Sequence, residues 1–416
     1  MTIKNFVEIL TLTHINDIIV VVTKIERMVL KMRKSDLDMD TVTNIILNNE
    51  YDLHEKEEKI ESPKEEKYKK INKYEKNKKK SKHAKNIENA KKGKKKKTTK
   101  QKIFLVVKII ITLIILGVIG IFLFFKTSLF QKYKELWVVT AMSTMNHQYL
   151  ATWFLSDEEI QEIMSKLEVQ NNEDSNSDEI KIVIPSENKK EEIKVDKITG
   201  KNYVGYVMTI PDASKVSLVD GRKSNRGTKL SEIVKNNKAI AGINAGGFAD
   251  DGGVGSGNVL CDATIINKKL LYGNKTSKYS LIGLSSDKKL VLGKYTYQQA
   301  MNAGIESAVE FGPYLIVNGK NQITNASSGG IHPRMGIGQK KDGTFIFVVV
   351  DGRQPGYSIG TNLLEMQNIF NRYDAYNAAN LDGGSSATMY YNGKVVNKTS
   401  TPMGERYLPN AFIVKE

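Results

Sequence analysis

NAANLDGGSSATMYYNG, residues 377–393, is the stretch that decides the fold. An apolar run ends in Asp382, two glycines and two serines follow, a β-rich run occupies 387–391, and Asn392-Gly393 closes it. Asn-Gly is a strong signal for a two-residue hairpin, because both central residues must take positive φ. A strand that delivers a carboxylate into a glycine-rich turn presents that carboxylate, with free backbone N–H groups, to a ligand. A single Asp-Gly after a strand is an ordinary turn. Here the pattern recurs.

Outward from this stretch, short β-rich runs alternate with Gly/Asn/Asp turns at 203–210, 215–220, 239–245, 259–266, 280–284, 307–317, 345–351, 378–382 and 411–415. Asn318-Gly319 marks a second hairpin, and helical patterns appear at 230–236, 297–303 and 363–372. Residues 199–416 therefore predict one α+β domain with a mixed, sheet-rich core and a few helices, large enough to fold on its own. Three further glycine-rich polar segments adjoin apolar strands: 239–253, 310–320 and 332–353.

Upstream the texture differs. Residues 103–125, IFLVVKIIITLIILGVIGIFLFF, would make a helix of about 34 Å, enough for a bilayer core. Residues 51–102 carry 21 lysines against 9 carboxylates, so most of the net charge of +16 belongs to this segment. Segment 1–102 reads as a largely disordered cytoplasmic tail, not a nucleic-acid-binding domain. Lysine crowds the near flank of the apolar run and thins beyond it, which places the N-terminus in the cytoplasm and the remainder outside. A signal peptide would have a far shorter leading region. Residues 126–168 predict a helical juxtamembrane stalk, with Ser156 and Glu159 in capping-box spacing. Segment 169–198, polar and aperiodic, reads as a linker.

Cys261 is the only cysteine, so neither an internal disulfide nor a thiolate zinc site can form. Of five histidines, His332 alone falls within 199–416.

The runs Asn244-Ala245-Gly246-Gly247-Phe248, His332-Pro333-Arg334-Met335-Gly336-Ile337-Gly338, Asp351-Gly352-Arg353, Asn380-Leu381-Asp382-Gly383-Gly384-Ser385-Ser386 and Glu405-Arg406-Tyr407-Leu408-Pro409-Asn410-Ala411 are in the order and spacing of a known family. Over about 200–416 the chain resembles the phosphodiester glycosidases. These include the animal enzyme that removes N-acetylglucosamine from a phosphodiester-linked mannose, and bacterial proteins associated with exopolysaccharide synthesis. The family often carries two aromatics after the glycine pair, whereas here Phe248 is followed by Ala249. The resemblance implies a glycosyl-phosphate or polysaccharide substrate.

The residue types suit cleavage of the sugar C1–O bond. Cleavage at phosphorus is commonly assisted by two metals held by His and carboxylate clusters, and a Ser-His-Asp triad would rest wholly on His332. C1–O cleavage passes through an oxocarbenium-like state that a carboxylate stabilises. The leaving phosphomonoester needs charge stabilisation more than a proton, which arginine forks and backbone N–H groups supply. Asp382 and Glu310 are the leading carboxylates, with Asp351 third. Arg334 and Arg406 are expected to grip phosphate, aided by N–H groups at Gly246-Gly247 and Gly383-Gly384. Asn244 and Ser385 or Ser386 would orient hydroxyls or phosphate oxygens. Arg353 suits phosphate contact or a structural pairing with Asp351 equally. His332 would help protonation or serve the structure. Asp250, Asp251, Asp262 and Asp374 read as turn or surface residues. No metal and no cofactor is called for. A non-catalytic protein binding a glycosyl-phosphate polymer is the alternative.

Overall fold

The computed structural model of the chain describes residues 99–144, 147–169, 173–183, 192–249 and 255–416. The tail expected at 1–102 falls almost wholly outside them. The first described element is the helix Thr99–Lys126. Its portion Ile103–Lys126 is long and apolar enough to cross a membrane, and side chains such as Phe104 and Leu113 stand exposed along it.

Among the described residues the stalk holds the helices Gln131–Met142, Tyr149–Thr152 and Asp157–Leu167, the last beginning at the expected Ser156 cap. The Ser156 hydroxyl accepts from the Glu159 N–H and the Glu159 carboxylate accepts from the Ser156 N–H, a complete capping box. The apolar faces of these helices meet in a small core that includes Val138, Val139, Leu155, Ile160 and Ile163. Phe125, at the end of the apolar helix, belongs to the same core and stacks on Phe154 with ring centroids 4.7 Å apart. Lys126 pairs with Glu159 at 3.0 Å. That half-exposed pair contributes little, so the aromatic stack is the firmer joint.

Two parts of the expected linker are built into the C-terminal domain instead. Residues 173–183 lie along its surface. There the Ser175 N–H donates to the Leu292 carbonyl at 2.7 Å, the Leu292 N–H returns to Ser175 Oγ at 2.8 Å, and Ile180 is buried. The strand Lys194–Thr199 opens the largest sheet by pairing with Val204–Ile210, so the sheet begins at Lys194, ahead of the boundary expected at 199. Its sequence, KVDKIT, is that of an edge strand with half-exposed side chains, which carries little apolar signal.

Among the described residues three larger antiparallel sheets form the domain, with a two-stranded one that pairs Thr228–Lys229 with Tyr407–Leu408. The seven-stranded sheet runs Lys194–Thr199, Val204–Ile210, Phe345–Val350, Arg334–Gln339, Asn377–Leu381, Tyr314–Val317, Lys320–Asn321. Alternation sorts its side chains. Val207, Ile346 and Val348 pack on the helix Leu363–Arg372, while Met208, Phe347, Val349, Ile337 and Leu381 face the central core between the sheets. A second sheet holds Lys394–Val395, Met389–Tyr391, Ala239–Asn244, Asn410–Lys415 and Val216–Asp220, and a third holds Lys269–Tyr272, Thr264–Ile266, Ile305–Glu310, Tyr279–Ser285 and Leu290–Tyr295.

The strand Arg334–Gln339 was not foreseen, because the Gly-Ile-Gly within it looks like a loop. Its glycines serve packing. A Cβ at Gly336 would lie 2.9 Å from Met366 Cε, and one at Gly338 would lie 2.8 Å from the Phe370 ring. The helix therefore lies closer to the sheet than any side chain at those positions would allow. The expected single run 307–317 is broken at Phe311-Gly312-Pro313 into two strands that belong to different sheets.

Candidate active site

Sheet topology gathers the sequence motifs at one end of the domain. The strand Arg334–Gln339 lies between two antiparallel neighbours, with Arg334 opposite Val350 and Met335 opposite Leu381. His332-Pro333-Arg334, Asp351-Gly352-Arg353 and Asp382–Ser386 therefore emerge side by side. In the second sheet Ala411 pairs with Asn244, which brings Arg406 and Asn410 to Gly246-Gly247. In the third, Val309 pairs with Thr264, which brings Asp262 and Phe311 to the same end. Glycines permit the crowding. A Cβ at Gly383 would meet the Pro333 carbonyl at 2.6 Å, and one at Gly352 would meet the Pro333 nitrogen at 2.7 Å.

A cavity of about 520 Å³ opens here, lined by Asp382, Asp262, Arg353, Arg406, Arg334 and His332 among others. Asp382 is fixed through its backbone. Its N–H donates to the Ala245 carbonyl at 3.0 Å, and its carbonyl accepts from Asn244 Nδ2 at 2.6 Å. Asn244 Oδ1 in turn accepts from the Thr388 N–H. Asn244, expected on substrate, is thus spent on aiming the Asp382 turn. Burial raises the Asp382 carboxyl to about 6; Ser386, Arg406 and Arg353 oppose the rise, and Asp262 adds to it.

Asp262 is the residue the sequence did not single out. A Cβ on Gly247 would stand 3.1 Å from its Oδ2, and Cys261 Sγ donates to that oxygen at 3.2 Å. Burial, the Asp262 hydrogen bond and the charge of Asp382 push the thiol up to about 12, so Cys261 is no thiolate nucleophile at neutral pH.

The other two expected carboxylates do not line this cavity. Glu310 faces a neighbouring one, where its Oε2 accepts from the Ala263 N–H at 3.2 Å. Its pKa is raised by burial, with Asp262 contributing. Asp351 is buried and consumed by structure, accepting from Asn397 Nδ2 at 2.9 Å, the Lys398 N–H at 3.1 Å and the Tyr357 hydroxyl at 3.0 Å. It pins the 397–398 turn.

The arginines divide unexpectedly. Arg334 is almost fully buried. Its Nε donates to the Thr361 carbonyl at 3.2 Å, and its Nη2 donates to the carbonyls of Gly329 and Gly330. Only Nη1 remains uncommitted among the described residues. Burial, helped by Arg353, lowers its pKa to about 10. Arg353, in contrast, has no side-chain hydrogen bond or ion pair among the described residues. Its backbone takes φ 58°, and its Nη2 would lie 3.3 Å from a Cβ on Gly384. A left-handed φ on a non-glycine residue holds the guanidinium over that turn at a cost of about 1–3 kcal/mol. Packing lowers its pKa while Asp382 raises it. Arg406 donates to Ser385 Oγ at 2.9 Å and lies 4.8 Å over the Phe248 ring.

The expected N–H nests are partly occupied. The Gly246 N–H donates to Asn410 Oδ1 and the Gly384 N–H to the Pro333 carbonyl. His332 is buried between cations. Burial, then Arg334 and Arg353, hold its pKa down to about 3, and its Nε2 has no protein partner among the described residues. The imidazole is therefore neutral at pH 7, with Nε2 open to a hydrogen bond. Asn380 Oδ1, in the cavity wall, is also unpartnered there.

Ser143, Thr144 and His147 of the stalk complete one wall. Thr140 Oγ1 accepts from the Ile331 N–H at 3.1 Å, and Gly330 packs on the Thr140 backbone. Arg334 therefore supports the loop that receives the stalk. Among the described residues no group of three or more His, Cys, Asp or Glu side chains could hold a metal ion.

The chain is similar to several known proteins. The phosphodiester glycosidase family model matches residues 237–415. The chain is 29% identical over 183 residues to the SPbeta prophage-derived uncharacterized protein YomE of Bacillus subtilis strain 168, covering 42% of this chain and 28% of that protein's length. The catalytic domain of zebrafish N-acetylglucosamine-1-phosphodiester alpha-N-acetylglucosaminidase aligns with TM-score 0.45 and 20% identity, over 57% of this chain and 87% of that one. A hypothetical protein from Synechocystis aligns with TM-score 0.39 and 17% identity, over 54% and 62%. The motif-bearing part of the chain, residues 237–415, thus matches a phosphodiester glycosidase domain.

Proposed function

We propose that the protein is a membrane-anchored hydrolase, its catalytic domain outside the cytoplasm, that breaks the sugar C1–O bond of a glycosyl phosphodiester in envelope or exopolysaccharide metabolism. One observation carries this reading: a single cavity holds both the Asp382 carboxylate, of pKa about 6, and the Arg353 guanidinium, which makes no side-chain hydrogen bond or ion pair among the described residues. At neutral pH Asp382 is mostly ionised and faces the charge that develops on the sugar. Arg353 and Arg406 hold the phosphate as its bond to C1 breaks. Water adds its oxygen to C1, the C1–O electron pair leaves with the phosphomonoester, and a carboxylate of the Asp382–Asp262 pair takes the water's proton. The anchoring reading rests on the apolar helix and the lysine asymmetry around it.

Hydrolysis in ¹⁸O-water tests the bond. Label is expected in the free sugar, with turnover unaffected by EDTA. Label in the phosphate, or a need for a divalent ion, would remove the assignment, and a binder alone would release no sugar.

A further inference from the structure

Beside the catalytic cavity, the stalk and the catalytic domain enclose a second one of about 740 Å³. Ser143, Phe311, Gly312, Pro313, Gly329 and Leu363 line both, so the two adjoin. The apolar part of its wall comes from Val139, Met164 and Leu167 of the stalk, Val169 just beyond it, and Phe311 and Leu363 of the domain, while Gln161, Ser165 and Ser280 add polar groups.

A phosphodiester has two arms. With the sugar at Asp382 and the phosphate at Arg353, the other arm must leave the catalytic cavity, and this groove adjoins it. A sugar or polyol arm finds partners in Gln161, Ser165 and Ser280 but leaves the apolar side chains of the wall unmatched. A polyphosphate arm would meet Glu168 and Glu310, the charged groups of the groove. An alkyl or isoprenyl chain meets neither obstacle. The stalk wall also ties the groove to the apolar helix. Phe125 of that helix stacks within the stalk core, and the helix Gln131–Met142, about 18 Å long, leads from the joint to Ser143.

We propose that the groove binds the hydrocarbon end of the substrate, and that the molecule cleaved is a sugar 1-phosphate esterified to a membrane lipid alcohol. This rests on the glycosidase reading above and names its substrate class. The bond change is the same: water oxygen joins C1, and the lipid phosphomonoester departs with the C1–O electron pair.

The product side offers a probe independent of the sugar. Methyl phosphate and hexyl phosphate are titrated against the full chain in nanodiscs, with Met164→Gln and Val169→Gln as variants outside the catalytic cavity. Hexyl phosphate should bind at least about tenfold more tightly than methyl phosphate to the wild type. Either variant should erase that ratio and leave methyl phosphate binding unchanged. Equal affinities in the wild type would overturn the proposal. So would a ratio that survives both variants, since that reports partition into the bilayer. Sugar release is measured on the same samples. Turnover without chain preference removes the lipid arm and leaves the glycosidase reading standing. Chain preference without turnover supports the groove and removes the glycosidase reading.

Discussion

Asp382 holds a proton more tightly than an ordinary aspartate because burial outweighs the two nearby cations and Ser386. The consequence for stability has a definite sign. Its folded pKa, about 6, lies above the ordinary aspartate value of 3.8. The associated stabilisation is therefore complete below pH 3.8 and is lost as pH rises through 6. Asp382→Asn should raise stability at pH 7 by about 1–3 kcal/mol, read by denaturant titration, and lower sugar release by several orders of magnitude. If that variant is less stable than wild type, the carboxylate is held by partners and not merely tolerated. In the wild type kcat/KM should fall as pH drops below about 6. Asp262→Asn removes a charge that favours the protonated form, so the acid limb of the profile should move to lower pH; an unmoved limb would uncouple the two residues. Asp382 was legible in the sequence because a strand, a carboxylate and two glycines occur together. Asp262 was not. It stands before a strand of only three residues, Thr264–Ile266, and only folding brings it beside Gly247. Arg334 was legible as part of the site but not as a brace, because carbonyl partners at Gly329, Gly330 and Thr361 leave no trace in residue type.

Among elements, the Pro333 segment is the keystone of three strand ends. Gly352 and Gly383 press on it from two sides, and Gly360, at φ 111°, lies against the His332 carbonyl. A methyl group at Gly383 has no flexible side chain to displace, since its nearest atom would be backbone oxygen. Gly383→Ala should lower stability by about 1–3 kcal/mol and shift Asp382, reducing kcat more than it raises KM. Thermal unfolding with steady-state kinetics checks both, and a fully active, equally stable variant would show that the strand ends have slack. The two Asn-Gly hairpins were legible because their turn type permits few alternatives: Asn318, Gly319, Asn392 and Gly393 all take positive φ. The Lys194–Thr199 and Arg334–Gln339 strands were not, one too polar and the other too rich in glycine, although each pairs with the next strand along the chain.

For the whole molecule, lysine asymmetry around Ile103–Lys126 predicts one orientation. In intact protoplasts, external protease should reach the domain that begins at Lys194 and spare the lysine-rich segment before Thr99. Protection of the domain in sealed cells would place it in the cytoplasm and remove an envelope substrate. The stalk was legible as helical, but its role in the cavity wall was not, because His147 and Asp382 are brought together only by the docking of Thr140 on Ile331. The Phe125–Phe154 stack and the Lys126–Glu159 pair join the apolar helix to the stalk. For a substrate in the same bilayer, an enzyme anchored by that helix would meet it by lateral diffusion in a plane. Encounter frequency follows molecules per unit area, not per unit volume. Diluting a vesicle suspension tenfold, at constant protein and substrate per lipid, should leave turnover per enzyme unchanged, whereas a water-soluble substrate would be consumed more slowly.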